Sequence, residues 1–353
     1  MRKPFGSDAQ VRRYLAAASV FHFIFLALFW AAQNSLSEKS WPLSLMFFAP
    51  QFHVLLPSLV LIALCLICRQ YRMLIAQLVS ILSISVSFLG FTIPQTASGF
   101  TTLSRGWAAA PGTQPRRARV MTYNIHFAAQ GMENVLTTIK EANADIICLQ
   151  EARQRETFEE LAPAISKQLP GYHFVSFGEL AIFSRYPIEQ SAYYPVTINL
   201  RPGALTARLN VDGRELSIHS VHLSNLYATY FLRARPDLND LLTERQKTYQ
   251  RIAWRNKQAN LLERLVSSDP SPYILAGDFN TPPRGVLYRS LTKHSQDAWK
   301  QAGWGRGATY PARLPLERID HIWTGNGVKA ESCRVLNSRA SDHLPVVADI
   351  TLP

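Results

Sequence analysis

The sequence predicts an α/β domain of two stacked sheets with helices outside, a four-layer sandwich preceded by three transmembrane α-helices. Three observations predict this. Beyond residue 118, short apolar strand-like runs alternate with amphipathic helical stretches, and turn signals separate several of the strands. Hairpins mixed with helices favour packed sheets over a purely parallel one. Before residue 95, three long apolar runs almost free of charge follow one another. With 353 residues, 47% hydrophobic and 18% charged, the chain has ample surface to bury, which excludes a disordered chain.

The apolar runs come first. They cover about residues 14–32, 47–68 and 73–93 of a membrane domain spanning 1–94. Each approaches the roughly 20 residues needed to cross a bilayer. Pro50, Gln51, His53 and Pro57 interrupt the second, so residues 41–50 are expected at the interface. Arg12-Arg13 resembles a twin-arginine signal, but no clean cleavage site follows and two further runs come after it. Arg2, Lys3, Arg12, Arg13, Arg69 and Arg72 flank the runs, and the positive-inside rule puts the N-terminus and the 69–72 loop in the cytoplasm. Everything beyond Pro94 is then extracytoplasmic, in a multi-pass protein of a bacterial inner membrane. Residues 95–118, rich in Ser, Thr, Ala, Pro and Arg, read as a linker.

Residues 119–353 form the second domain. Strands are predicted at 119–125, 145–150, 173–177, 180–184, 205–211, 215–223, 273–276, 318–323, 328–336 and 346–352. Asp212-Gly213 marks a hairpin turn. Helices are predicted at 131–143, 156–169 and 243–267. The four cysteines, Cys65, Cys68, Cys148 and Cys333, show no pairing pattern and read as free thiols.

The net charge of +12 first suggests a nucleic-acid partner, but +8 of it lies before residue 118, beside the apolar runs. The remaining +4 is too small to imply a polyanion groove.

Chemistry enters at the strand ends. Asn124, Glu151, His222, Asp278, Asn280, Asp320 and the triplet Ser341-Asp342-His343 each end or follow an apolar run. One such residue alone is an ordinary cap or turn; a whole set carrying hard oxygen or imidazole groups points to a common cleft. Carboxylate and amide oxygens suit Mg²⁺ or Mn²⁺ rather than zinc. Two histidines beside carboxylates can carry protons near neutral pH. Together they suit hydrolysis of a phosphate ester or anhydride.

The motifs TYNIH (122–126), LQE (149–151), SVHL (220–223), GDFN (277–280), RIDHIW (318–323) and SDHLPV (341–346) resemble those of the endonuclease/exonuclease/phosphatase superfamily, with its DNase I-like fold. The layout also resembles three-span bacterial membrane members of the glycopeptide-resistance type, through GATYP and RIDHIW. The resemblance implies Glu151 as the main metal ligand, helped by Asn124 and Asp342. It implies that Asp278 and Asn280 hold or activate the attacking water. His343, oriented by Asp320, would lie against the scissile phosphate, and His222 would donate to a phosphoryl oxygen or the leaving group. Which histidine serves as base stays open. Glu179 is the nearest candidate to orient His222. Arg208 is a candidate to neutralise phosphate charge. His219 alternates away from His222 and reads as structural.

Residues 224–257 choose the substrate. They carry Arg233, Arg235 and five further cations against three carboxylates, after Tyr227, Tyr230 and Phe231. The segment reads either as a solvated helix or as a lid with aromatics at the bilayer and cations on a phosphate, Arg233 and Arg235 among them. The expected function is a membrane-anchored, metal-dependent phosphohydrolase acting on a lipid-linked phosphodiester or pyrophosphate. A nuclease, with nucleic acid as partner, and a non-catalytic binding protein are the alternatives.

Overall fold

The computed structural model of the protein describes residues 8–37, 39–95, 116–195, 203–225 and 238–353. One six-stranded sheet contains β1 (Arg117–Asn124), β2 (Ile146–Gln150), β3 (His173–Phe177), β4 (Leu180–Ser184), β11 (Lys329–Val335) and β12 (Val346–Thr351). Its spatial order is β11-β12-β1-β2-β4-β3. The second contains β5 (Ile188–Tyr194), β6 (Ala204–Val211), β7 (Arg214–His222), β8 (Tyr273–Asp278), β9 (Gln296–Asp297) and β10 (Asp320–Gly325). Its order is β5-β6-β7-β8-β10-β9. Each sheet has one parallel pair, β1 with β2 and β7 with β8, and is antiparallel elsewhere.

Strand alternation builds the layers. In β1, Val120 faces the inter-sheet core with Ile146, Ile182, Ile218 and Ile274. Its neighbours Met121 and Tyr123 face outward onto Val135 and Ile139 of α5 (Met132–Ala142). In β8, Ile274 and Ala276 point inward, while Tyr273 and Leu275 pack against Leu262 and Val266 of α7 (Leu238–Ser268) and Leu287 of α8 (Gly285–Leu291). Helix, sheet, sheet and helix thus stack in four layers.

Three expectations are corrected. The helix expected over 156–169 shrinks to α6 (Ala162–Ser166), with Pro163 in its first turn, where the missing N–H costs no helical bond and an earlier start would cost one. Arg153 instead bridges to Glu160. β5 was not expected; it is an edge strand, mostly exposed, and carries no apolar alternation to read. α8 and the short α9 (Ala298–Ala302) follow β8 and β9 where no helix was expected. The four cysteines are free, with Cys148 and Cys333 buried and their thiols raised by burial, Cys148 to about 12.

The N-terminal helices are α1 (Asp8–Leu36), α2 (Trp41–Phe48), α3 (Leu56–Ile67) and α4 (Leu74–Ser87), with 3₁₀ turns leading into α3 and α4. Among the described residues α1 alone is long and apolar enough to cross a membrane as a single helix. The second expected run is broken: Pro42–Phe48 turns 91° from Gln51–Ile67. The third reduces to Tyr71–Ser87, about 25 Å long, which falls short of a 30 Å hydrocarbon layer.

The bundle has inverted polarity. Phe21, Leu28, Leu56, Ile67, Ile75, Leu78 and Leu82 are all exposed. Ser19, His22, Gln33, Gln51, Ser58 and Gln77 are buried. They bond across helices, Gln77 Nε2 to Ser19 Oγ at 2.8 Å and His22 Nε2 with Ser58 Oγ at 2.9 Å. At one end Leu15 packs with Leu61 and Cys65; at the other Leu26 and Phe29 pack with Val54, Ile84 and Phe88. The second end carries the α/β domain. Arg284 donates to the carbonyls of Phe88 (2.9 Å) and Phe47 (2.8 Å), and Thr92 pairs with Gly305. Contact with the α/β domain thus runs from Asn34 of α1 through Phe47 and Phe88 to residues 91–95, ahead of most of the expected linker; residues 96–115 lie outside the described residues.

Candidate active site

Sheet register brings the distant motifs together. In the second sheet His222 lies opposite Asp278, and Asp278 opposite Asp320. Three adjacent strands therefore present these residues in one row, about 4.8 Å from strand to strand. In the first sheet Asn124 pairs with Gln150, which places Glu151 at the matching edge. The paired strands of both sheets end at a cleft of about 540 Å³, lined by Glu151, His222, Asp278, Asn280, Asp342 and His343.

Two imidazoles are each fixed by a carboxylate. His343 Nδ1 lies 2.9 Å from Asp320 Oδ2, and His222 Nδ1 lies 2.5 Å from Glu179 Oε1. Arg153 Nε supports Glu179 from 3.5 Å. Glu179 is thus the partner for His222. With Nδ1 committed, both rings turn Nε2 toward Asp278 Oδ2, at 3.5 Å from His222 and 3.7 Å from His343.

Burial alone would discharge the imidazoles, but the surrounding carboxylates outweigh it. His222 is pushed up to about 10, chiefly by Glu179 and then Asp278 and Glu151. His343 is pushed up to about 9 by Asp320 and Asp278. Burial raises Asp278 above the ordinary carboxylate range, and Asp320 adds to this while the two imidazoles oppose it. Burial would raise Glu179 as well, but His222 and Arg153 hold it low.

Asp278 is held by amides. Its Oδ1 accepts from the Asn280 N–H at 2.8 Å, and its Oδ2 from Asn124 Nδ2 (3.1 Å) and Asn280 Nδ2 (3.2 Å). Asn124 Nδ2 also reaches Glu151 Oε1 at 3.3 Å, while its Oδ1 accepts the His126 N–H at 3.0 Å. Asn124 therefore turns its amide nitrogen, and not its oxygen, toward the carboxylates.

The donor set suits a divalent cation. Glu151 Oε2 is buried and bonds to no protein group, the state of an oxygen shaped for an ion or water. Asp342 lines the same cleft, with Oδ1 at 3.6 Å from His126 Nδ1. Asp278, Asp320 and His343 also bring ligand atoms within 4.8 Å of one another, but Asp320 is already committed to His343. The hard oxygens of Glu151 and Asp342 fit Mg²⁺ or Mn²⁺.

Not every expected residue joins the site. Arg208 is a correction: it pairs with Ser217 across β6–β7, and His222 lies five residues further along, about 17 Å up the strand. The Arg208 guanidinium faces Glu215 at 3.9 Å and is absent from the cleft lining. Arg233, Arg235, Tyr227, Tyr230 and Phe231 lie outside the described residues. His219 is buried between Thr206 Oγ1 (2.9 Å) and Asp269 Oδ2 (3.2 Å), a structural place that strand alternation gave. Arg251, one of the cations of the 224–257 segment, and Tyr310 of GATYP line the cleft, as do Arg155 and Phe127, which no motif marks. Phe127 sits in a left-handed stretch, His126 to Ala128, where φ runs from 47° to 56°.

Comparison with known proteins agrees with this geometry. A family model described as endonuclease/exonuclease/phosphatase family matches residues 121–343. The chain is 28% identical over 207 residues to inositol phosphosphingolipids phospholipase C of Schizosaccharomyces pombe, covering 51% of this chain and 46% of that one. It is 27% identical over 177 residues to protein angel homolog 2 of Danio rerio, covering 46% of this chain and 30% of that one. The chain therefore spans less than half the length of these relatives. An endonuclease/exonuclease/phosphatase structure from Bacteroides vulgatus superposes with a TM-score of 0.53 at 19% identity, covering 67% of this chain and all of that one (100%). A mannosyl-6-phosphatase from Bacteroides thetaiotaomicron gives 0.52 at 18%, covering 67% and 100%. The match spans every strand-end motif from LQE to SDH, with a two-sheet fold behind it, and by it the chain belongs to the endonuclease/exonuclease/phosphatase family.

Proposed function

We propose that the protein is a membrane-anchored, metal-dependent phosphohydrolase that cleaves a lipid-linked phosphodiester or pyrophosphate. Membership of the family carries the coarse part, since its members hydrolyse phosphoester bonds. The observation that carries the chemistry is the row His222–Asp278–Asp320 with His343, each imidazole backed by its own carboxylate. The bilayer as partner is supported by the inverted polarity of the N-terminal bundle. Exposed Leu, Ile and Phe outside and hydrogen-bonded polar groups inside suit helices surrounded by lipid. The basic residues Arg12, Arg13, Arg69 and Arg72 gather at the end away from the α/β domain, which supports a cytoplasmic placement of that end and an extracytoplasmic cleft.

Glu151 and Asp342 would hold a Mg²⁺ or Mn²⁺, which would supply the charge that polarises a phosphoryl oxygen. Asn124 orients Glu151 and Asp278 through its amide nitrogen. Asp278, raised by burial and fixed by Asn280, takes the proton of the attacking water. A new P–O bond forms from that water as the bond to the leaving group breaks. His222 and His343, held protonated by Glu179 and Asp320, donate from Nε2, one to a phosphoryl oxygen and the other to the departing oxygen.

The test is a release assay with Mg²⁺ on the full chain, offering lipid pyrophosphate, a sphingomyelin-type lipid and plasmid DNA side by side. Lipid turnover is expected. Plasmid nicking without lipid turnover contradicts the proposal and favours a nuclease.

A further inference from the structure

The bundle does more than precede the α/β domain: it grips the loop that carries the catalytic carboxylate. Asp278 and Asn280 are followed by Thr281, Pro282, Pro283, Arg284 and Gly285. Arg284 is 6% exposed and donates to the carbonyls of Phe47 in α2 and Phe88 after α4. The Gly285 N–H donates to Asn34 Oδ1 in α1 at 3.1 Å, and Arg289 donates to the Asn34 carbonyl. One short loop thus binds three helices of the bundle. The fit is close. Gly285 has φ +87°, and a Cβ there would lie 2.4 Å from the Phe47 ring. Gly90 faces Pro283 in the same way, with φ +71° and 2.9 Å to a Cβ.

A second cation holds α2 from the other side. Arg255 of α7 lies over the Phe48 ring at 5.2 Å. It donates to the carbonyls of Ser224 (2.6 Å) and Phe279 (3.3 Å), and to Thr281 Oγ1. Ser224 lines the cleft, and Phe279 lies between Asp278 and Asn280. Ile252 of α7 packs on Phe47 and Phe48, while its neighbour Arg251 lines the cleft. So adjacent residues of α7 pack on α2 and line the cleft. The 91° turn of α2 from the following helix lays it along the membrane surface if the bundle stands upright in a bilayer. Met46, on the free side, is 42% exposed.

We infer that α2 is a sill at the bilayer surface over which a lipid-borne phosphate reaches the cleft, and that Arg284 is a positioning residue holding cleft and sill in register. The inference rests on the lipid-substrate reading and deepens it: the substrate is hydrolysed while its hydrophobic chain stays in the membrane that holds the enzyme. Arg284 touches neither substrate nor the reacting atoms; it acts through the 281–285 loop and α2.

The test compares one full-length protein on two substrates. The first is a long-chain phosphodiester lipid in phosphatidylcholine vesicles carrying the reconstituted enzyme. The second is the water-soluble bis(p-nitrophenyl) phosphate. Arg284→Ala should lower vesicle turnover at least tenfold, with KM for the surface substrate rising, and leave soluble turnover within about threefold. Arg284→Lys should restore part of the vesicle activity. Asn34→Ala removes one acceptor without emptying the buried cation's place, and should show the same selective loss more weakly. Equal loss on both substrates in all three variants overturns the positioning role, as does vesicle turnover unchanged in Arg284→Ala. Absence of lipid turnover in the unaltered protein overturns the lipid reading itself; lipid turnover that Arg284→Ala and Asn34→Ala leave intact overturns only the sill.

Discussion

Glu179→Gln separates an imidazole that donates a proton from one that merely fills space. Glu179 Oε1 stands 2.5 Å from His222 Nδ1, and Glu179 is the largest contribution that keeps the buried ring charged. Glutamine preserves an acceptor of nearly the same shape but removes the charge. A charge-assisted hydrogen bond of about 1.5–3 kcal/mol then becomes an ordinary one of about 1 kcal/mol. Burial is then opposed only by Asp278 and Glu151, which lowers the His222 pKa from its value of about 10. Where the ring loses its proton the donor is gone, which should cost on the order of 100-fold in kcat on the basic side of the profile. The sign follows: activity in the variant should recover as pH falls and the ring regains its proton, and the basic limb of its profile should lie well below that of the parent. The assay is kcat/KM against pH in Mg²⁺ for both proteins, with thermal melting to verify that the variant is folded. Superimposable profiles, or profiles offset by one constant factor at every pH, refute the donor role.

Three further outcomes are expected. Glu317, buried beside Arg284 and Arg306 at the bundle interface, is raised by burial to about 7 from 4.5. Its folded-state pKa lies above the unfolded one, so its contribution favours folding below pH 4.5, is lost between 4.5 and 7, and is flat above; at about 1.4 kcal/mol per pH unit the loss is about 3 kcal/mol. Glu317→Gln should therefore raise Tm in detergent at pH 8 and leave it nearly unchanged at pH 4.5; a lower Tm at pH 8 contradicts this. Arg208→Ala should keep activity within twofold, because the side chain lies far along β6 from the cleft. Arg251→Ala, on the cleft wall, should raise KM for an anionic substrate about fivefold, roughly 1 kcal/mol, with kcat little changed.

The strand ends were legible because a buried strand rarely finishes on an uncompensated carboxylate or amide. Asn124, Glu151, His222, Asp278, Asp320 and His343 all stand out in the sequence for this reason. Their order in space does not. That His222, Asp278 and Asp320 occupy one row depends on the register of β7, β8 and β10, set by pairings between segments far apart in sequence. Glu179 lies 43 residues from His222, in a turn whose local pattern gives no reason for a buried pair. Arg208 failed for the same cause: its place on the wrong stretch of β6 is fixed by the β6–β7 register. The grip of Arg284 on the bundle was illegible because its acceptors are main-chain carbonyls, which any residue supplies. Hydropathy located the N-terminal helices, and Pro50 and Gln51 marked the interruption that leaves residues 41–50 at the interface; only the 91° angle of that corner was illegible.

The proposed hydrolysis requires that Glu151, beside the two imidazole–carboxylate pairs, hold one divalent ion. Calorimetric titration of Mn²⁺ into the purified full chain and its Glu151→Ala variant, with phosphate release measured on the same samples, tests it most directly. One site is expected in the parent, with loss of that site in the variant and loss of turnover with it. Turnover surviving in Glu151→Ala, or Mn²⁺ binding with the same affinity and stoichiometry in both proteins, would contradict it.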